Sequence, residues 1–142
     1  MKKIIFVLLF LTGSIAAFAQ YSARIVEPTP TEARIGETIP VTIEYSSHKP
    51  VKFQVQINKI GWGSTAAWSN NDEKFPAGKN QKAVINLRVK EKDGSQFINH
   101  KDDFAYTFRM WSFRDPNKDD KKFLAAEFQK FKVDILKAKK KK

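Results

Sequence analysis

Apolar and polar side chains alternate with a period of two through most of this chain, and that alternation leaves little room for any fold not built from strands. Residues 51–58 are the cleanest case: Val51, Phe53, Val55 and Ile57 fall on one side, and Lys52, Gln54, Gln56 and Asn58 on the other. Successive side chains of a strand point to opposite faces, so the spacing predicts a strand with one buried and one wet face. Residues 38–45 repeat the pattern with Ile39, Val41, Ile43 and Tyr45, and residues 82–89 with Ala83, Ile85, Leu87 and Val89. Pro40 has no N–H for a ladder, which places it at a strand start or along an edge. Residues 103–113 form the most aromatic strand, with Phe104, Tyr106, Phe108 and Met110 on one parity and Thr107, Arg109, Trp111 and Phe113 on the other.

Turn signals separate these runs. His48-Lys49-Pro50, Gly61-Trp62-Gly63-Ser64, Asn70-Asn71-Asp72, Pro76-Ala77-Gly78 and Arg114-Asp115-Pro116-Asn117 all break the alternation. They leave a short edge strand around residues 65–68, and a polar connection over residues 91–101. An opening strand is interrupted by Pro28-Thr29-Pro30. In the last strand, residues 124–135, the apolar parity moves from Leu124, Ala126 and Phe128 to Phe131, Val133 and Ile135, which predicts a one-residue bulge near Gln129-Lys130. Residues 120–132 also admit a weaker reading as an amphipathic helix, through Phe123, Leu124, Phe128 and Phe131. About seven short strands separated by turns predict a single all-β domain, an immunoglobulin-like or fibronectin-III-like β-sandwich. Asp102, Tyr106 and Phe108 match the spacing of a tyrosine corner, with Phe108 where a cysteine stands in antibody domains. Tyr106 is then a structural residue whose hydroxyl bonds backbone at the corner.

The first residues read differently. Met1-Lys2-Lys3 is positively charged, Ile4 to Leu11 is unbroken apolar, and Ala17-Phe18-Ala19 supplies small residues at a cleavage site. That is the three-part pattern of an export signal. The apolar run is far shorter than the roughly 20 residues a membrane span needs. The domain organisation expected is a signal peptide at 1–19, a sandwich domain at 20–136 and a basic disordered tail at 137–142. The expected location is secreted or periplasmic, by Gram-negative export, with no membrane span in the mature chain.

Without the leader, 24 basic residues against 15 acidic ones leave a net charge of +9, and five of those lysines sit in the tail. The absence of cysteine excludes disulfides, thiol chemistry and cysteine-held zinc. The domain must therefore hold itself by its core, for which the nine Phe that follow the leader, three Trp and three Tyr supply bulk.

Catalytic motifs are missing. The two histidines, His48 and His100, have no metal-ligand spacing, and no nucleophile elbow, zinc helix or phosphate loop occurs. Paired acids at Asp72-Glu73, Asp102-Asp103 and Asp119-Asp120 lie in loops or at strand entries, where neighbours diverge. The Asn70-Glu73 cluster is a weak calcium candidate without the spacing of a dedicated loop. The expectation is a protein that is not an enzyme and takes no cofactor.

Segments from Ile39 to Phe113 resemble small immunoglobulin-like modules of secreted bacterial polysaccharide-degrading systems. They are IPVTIEYSS, KPVKFQVQI, the Gly61-Trp62-Gly63 turn, FPAGKNQKAVINLRV and AYTFRMW, covering about half the chain. Independently, the outward positions of a sandwich face can be read from parity: Lys52, Gln54, Gln56 and Asn58 on one strand, Thr107, Arg109 and Trp111 on the next, and Lys130 and Lys132 on the last. Amides pair with sugar hydroxyls, an indole stacks on a pyranose, and cations favour carboxylated or sulfated sugars. Trp62 and Trp68 extend this candidate glycan site from the adjoining turn. The expected partner is a polysaccharide or a cell-envelope component, without nucleic acid. The alternative is a structural or protein-interaction module of the envelope, with an edge strand open to pairing. Expressed in a Gram-negative host, the exported protein should begin at Gln20 by N-terminal sequencing; an intact Met1 on exported protein would refute the leader.

Overall fold

The computed structural model describes residues 21–61, 65–69, 72–90, 98, 103–113 and 123–141. The leader at 1–19, Trp62, Asn70, Asn71, His100, Asp102, Asp119 and Asp120 lie outside these residues. The described residues form nine strands and no helix: β1 (Tyr21–Ile25), β2 (Glu32–Arg34), β3 (Thr38–Ser47), β4 (Val51–Lys59), β5 (Thr65–Trp68), β6 (Gly78–Arg88), β7 (Phe104–Ser112), β8 (Ala125–Glu127) and β9 (Asp134–Leu136). Seven of them make one antiparallel sheet in the order β1-β3-β6-β5-β4-β7-β8. β2 and β9 pair in parallel as a separate ribbon. The outermost strands, β1 and β8, return to each other's side, so the sheet is nearly closed. No helix among the described residues is long and apolar enough to cross a membrane.

Alternation sets which way each strand faces. On β4, Val51, Phe53, Val55 and Ile57 are all buried, while Lys52, Gln54 and Gln56 keep partial access to water. β3 and β6 bury their own alternate residues from Ile39 to Tyr45 and from Ala83 to Leu87. The inward side chains converge on Phe53, whose ring meets Tyr45, Phe75 and Phe108 edge-on at centroid distances of 5.2, 5.4 and 6.4 Å. Edge-to-face pairs of this kind add about 0.5–1.5 kcal/mol each beyond their burial. Two tyrosines share this core, and each buried hydroxyl needs an acceptor. Tyr45 Oη donates to Pro76 O and Tyr106 Oη to Pro30 O, both at 2.7 Å. The tyrosine-corner geometry expected for Tyr106 is thus corrected. Its hydroxyl does bond a backbone carbonyl, but one 76 residues away rather than at its own corner, so it ties β7 to the segment between β1 and β2.

Pro40 sits as the third residue of β3, a strand flanked by β1 and β6. Val26 N–H donates to Thr42 O at 2.9 Å, so residues of that parity turn their backbone groups toward β1. The β1 ladder stops at Ile25↔Ile43. Two residues earlier than Thr42, the missing N–H of Pro40 points where no ladder partner runs.

The last strand departs from the expected pattern. Glu127 pairs with Phe108 and Ala125 with Met110, which places those two on the core side, while Ala126 shares the side of Arg109. Phe128, assigned inward by parity, lies outward and exposed. The interruption covers residues 128–131 and holds Gln129 at φ 52°. Pairing resumes at Ala105↔Lys132, two residues out of register with β8. A two-residue offset preserves parity, so Val133 and Ile135 are buried on the same odd parity as Glu127. The one-residue bulge is corrected accordingly, and the helical alternative over these residues is replaced by β8. Glu127 takes the inward position because its Oε1 accepts the Ile25 N–H at 2.8 Å, satisfying a donor at the end of the β1 ladder.

Glu127→Ala should cost about 1–3 kcal/mol in urea unfolding, because it leaves that donor unpaired, and should speed hydrogen exchange at the Ile25 amide. Glu127→Gln keeps an acceptor oxygen and should lose less. Phe53→Ala should cost about 3–5 kcal/mol in the same assay.

Candidate binding face

The register of β4 against β7 decides which outward residues become neighbours. Lys52 lies opposite Trp111, Gln54 opposite Arg109, Gln56 opposite Thr107 and Asn58 opposite Ala105. On the other flank Gln56 lies opposite Trp68 of β5. Directly opposed residues in an antiparallel pair share a face with Cβ atoms roughly 4.5–5.5 Å apart. Six of the residues singled out from sequence are therefore brought onto one surface: Lys52, Gln54, Gln56, Trp68, Arg109 and Trp111. Trp68 is the most open of them at 56% exposure. Trp62 falls outside the described residues.

Asn58 and Thr107 share the parity of this surface but are withdrawn from it. Asn58 is buried, and its Nδ2 donates to Thr65 Oγ1 at 3.0 Å and to Gln56 Oε1 at 3.3 Å. It fixes the start of β5 against β4. Thr107 is buried because residues 128–131 fold over it, and its hydroxyl accepts the Gln129 N–H at 3.1 Å. The Gln129 side chain then reaches the turn after β4, donating to Lys59 O and accepting from Gly61 N–H, both at 3.2 Å. Lys132 is exposed beyond this crossing, and Lys130 Nζ lies 4.0 Å from Glu127 Oε2.

Two residues of the surface were not legible from parity. Phe123 and Phe128 are exposed at 48% and 56% and continue the row beyond Trp111 and Arg109. Phe123 packs against Trp111 at 6.5 Å with ring planes at 83°, and against Phe128 at 6.1 Å. The Arg109 guanidinium lies 5.5 Å from the centre of the Phe128 ring, a cation–π distance. The face is thus a three-ring cluster with a guanidinium laid on one ring, bordered by Gln54, Gln56 and Lys52. The signal in the sequence was Glu127: a carboxylate on the apolar side of a strand needs a specific partner inside, and its presence there turns Ala126 and Phe128 outward.

The other candidates for chemistry are placed elsewhere. His48 is exposed in the β3–β4 turn, with Nε2 2.9 Å from Tyr21 Oη. Asp72 and Glu73 are exposed. No group of three or more acids or histidines able to hold a metal occurs among the described residues. The phenols of Tyr45 and Tyr106 are both raised above the ordinary tyrosine value by burial, Tyr106 the more strongly. No protein-family model matches the chain, and no curated protein matches it in sequence.

A phenol whose native proton is held more tightly than in the unfolded chain stabilises the fold below the unfolded value near pH 10. That stability is lost as pH rises above it. Alkaline titration should show the phenolate absorbance of Tyr106 appearing together with loss of near-ultraviolet dichroism, and Tyr106→Phe should remove that component.

Proposed function

We propose that this protein is a non-catalytic binding module whose β4–β7–β8 face takes acidic polysaccharide. What carries the reading is the row Gln54–Arg109 beside Lys52–Trp111, an amide, two cations and an indole on adjacent strands. Lys52 and Arg109 stand on the diagonal of the ladder, at a spacing of roughly 7–8 Å between backbones. Two cations at that spacing suit a chain that presents carboxylates or sulfates repeatedly. The amides suit hydroxyls, and the indole suits the apolar side of a sugar ring.

The same proposal includes an immunoglobulin-like sandwich, exported through the leader at 1–19. What supports a two-layer reading is the narrow joint between β5 and β6, which among the described residues pair at Trp68↔Arg88 alone; the layers would then be β1-β3-β6 and β5-β4-β7-β8. The parallel β2–β9 ribbon would then run along their margin.

A second reading, a protein-interaction module of the cell envelope, is favoured by Phe123 and Phe128. Exposed aromatics around an arginine are the residue types that anchor protein contacts. The contact would be through this face rather than by strand addition, because the β1 and β8 edges lie against each other.

Affinity electrophoresis separates the two. Migration should be retarded in a gel containing polygalacturonate and not in one containing neutral galactan. Trp111→Ala and Arg109→Ala should each weaken retention about five- to tenfold, as loss of about 1 kcal/mol implies. Gln54→Ala should weaken it less. Unchanged retention in both Trp111→Ala and Gln54→Ala would sink the glycan reading. If instead one envelope protein co-purifies in stoichiometric amount and is lost with Phe128→Ser, the second reading stands.

A further inference from the structure

The end of the sheet away from the β3–β4 turn carries a feature that the binding face does not use. Thr38 at the start of β3 pairs with Arg88 at the end of β6, and so lies at the far end from the β3–β4 turn. There β2 and β9 run side by side, and Ile35 N–H donates to Leu136 O at 3.0 Å. Gly36, at φ 84°, turns the chain away, and its N–H donates to Val89 O at 2.8 Å. The positive φ is one that glycine adopts without strain.

The basic C-terminal segment is laid against this end. Arg34 Nη1 donates to Lys137 O at 3.3 Å, and Lys139 Nζ lies 3.4 Å from Glu37 Oε1. Between the segment and the body is a groove of about 750 Å³, within the size range of small-molecule sites. Its apolar lining includes Ile35 and Ile98, and its cations are Arg88, Lys90, Lys137 and Lys140. No acid lines it among the described residues.

Four cations around one concavity repel each other, and the walls of the concavity concentrate their field. An anion relieves that repulsion. A small hydrated anion, however, gains nothing from the isoleucine floor, and a neutral apolar molecule leaves the cations unpaired. We propose that the groove binds an anionic amphiphile, a carboxylate or phosphate carrying a hydrocarbon body. The hydrocarbon lies on Ile35 and Ile98, and the head meets Arg88, Lys90, Lys137 and Lys140. The site is separate from the β4–β7–β8 face, so the two can be tested apart.

The test is calorimetric titration of the full mature protein with decanoate, acetate and decanol in low salt. Decanoate should bind at least about tenfold more tightly than either acetate or decanol, because only it satisfies both parts of the groove. Lys90→Glu, Lys137→Glu and Ile98→Asp should each weaken decanoate binding about tenfold, and Trp111→Ala should leave it unchanged. Circular dichroism confirms that each variant is folded; these side chains are at the surface or only half-buried, and the lysine changes keep the core intact. Acetate binding as tightly as decanoate would overturn the proposal in favour of simple charge attraction. Decanol binding as tightly would overturn it in favour of an unspecific apolar patch. Decanoate binding that survives Lys90→Glu and Lys137→Glu, or no decanoate binding at all, would overturn it outright. None of these outcomes bears on polysaccharide retention, which depends on Trp111 and Arg109.

Discussion

A single carboxylate organises the side of this molecule that carries its candidate site. Glu127 points inward on β8 and accepts the Ile25 N–H, where the β1 ladder ends. A backbone donor left unpaired at a buried strand end costs about 1–3 kcal/mol, so the acceptor has a strong reason to be there. Its direction fixes the parity of β8, and through parity the direction of every neighbour. Ala126 and Phe128 turn outward, and Phe128 comes under Arg109. The same contact brings β1 and β8 together, which nearly closes the sheet and occupies edges that would otherwise be open to foreign strands.

The interior is secured by aromatic packing and by two long-range tyrosine bonds rather than by covalent links. Phe53 sits among three other rings, contributed by β3, by β7 and by the connection between β5 and β6. Tyr106 and Tyr45 each tie a strand to a proline carbonyl in a connection. These bonds hold loops to the core without a regular ladder. The face lies across three hydrogen-bonded strands. The groove lies where the β2–β9 ribbon meets the end of β6.

Much of this was legible along the chain. The strands β3, β4, β6 and β7 follow from alternation and turn residues, because burial of one face imposes a period of two on the residues themselves; β5 follows from the turns around it, but it lies between β6 and β4 rather than at the expected edge. Lys52, Gln54, Gln56, Arg109 and Trp111 were readable as outward for the same reason. Asn58 was not readable as buried, since its fate depends on Thr65 closing over it from another strand. Thr107 is covered by residues 128–131, which are distant in sequence. The outward direction of Phe128 was not readable, because a three-residue strand offers too little alternation to overrule Leu124, Ala126 and Phe128 falling in step.

Sequence alone determined that the chain is all-β, that its stability comes from an aromatic core without disulfides, and which face of each long strand is wet. Those are consequences of local chemistry: the side chain at each position either tolerates water or does not. Tertiary structure decided which wet faces become neighbours, which polar side chains are withdrawn as fasteners, and where the basic C-terminal segment lies. Those depend on register and on contacts between residues a hundred positions apart, as in Ile25 with Glu127 and Arg34 with Lys137. No local pattern encodes such a pairing, because its free energy exists only once both partners are in place.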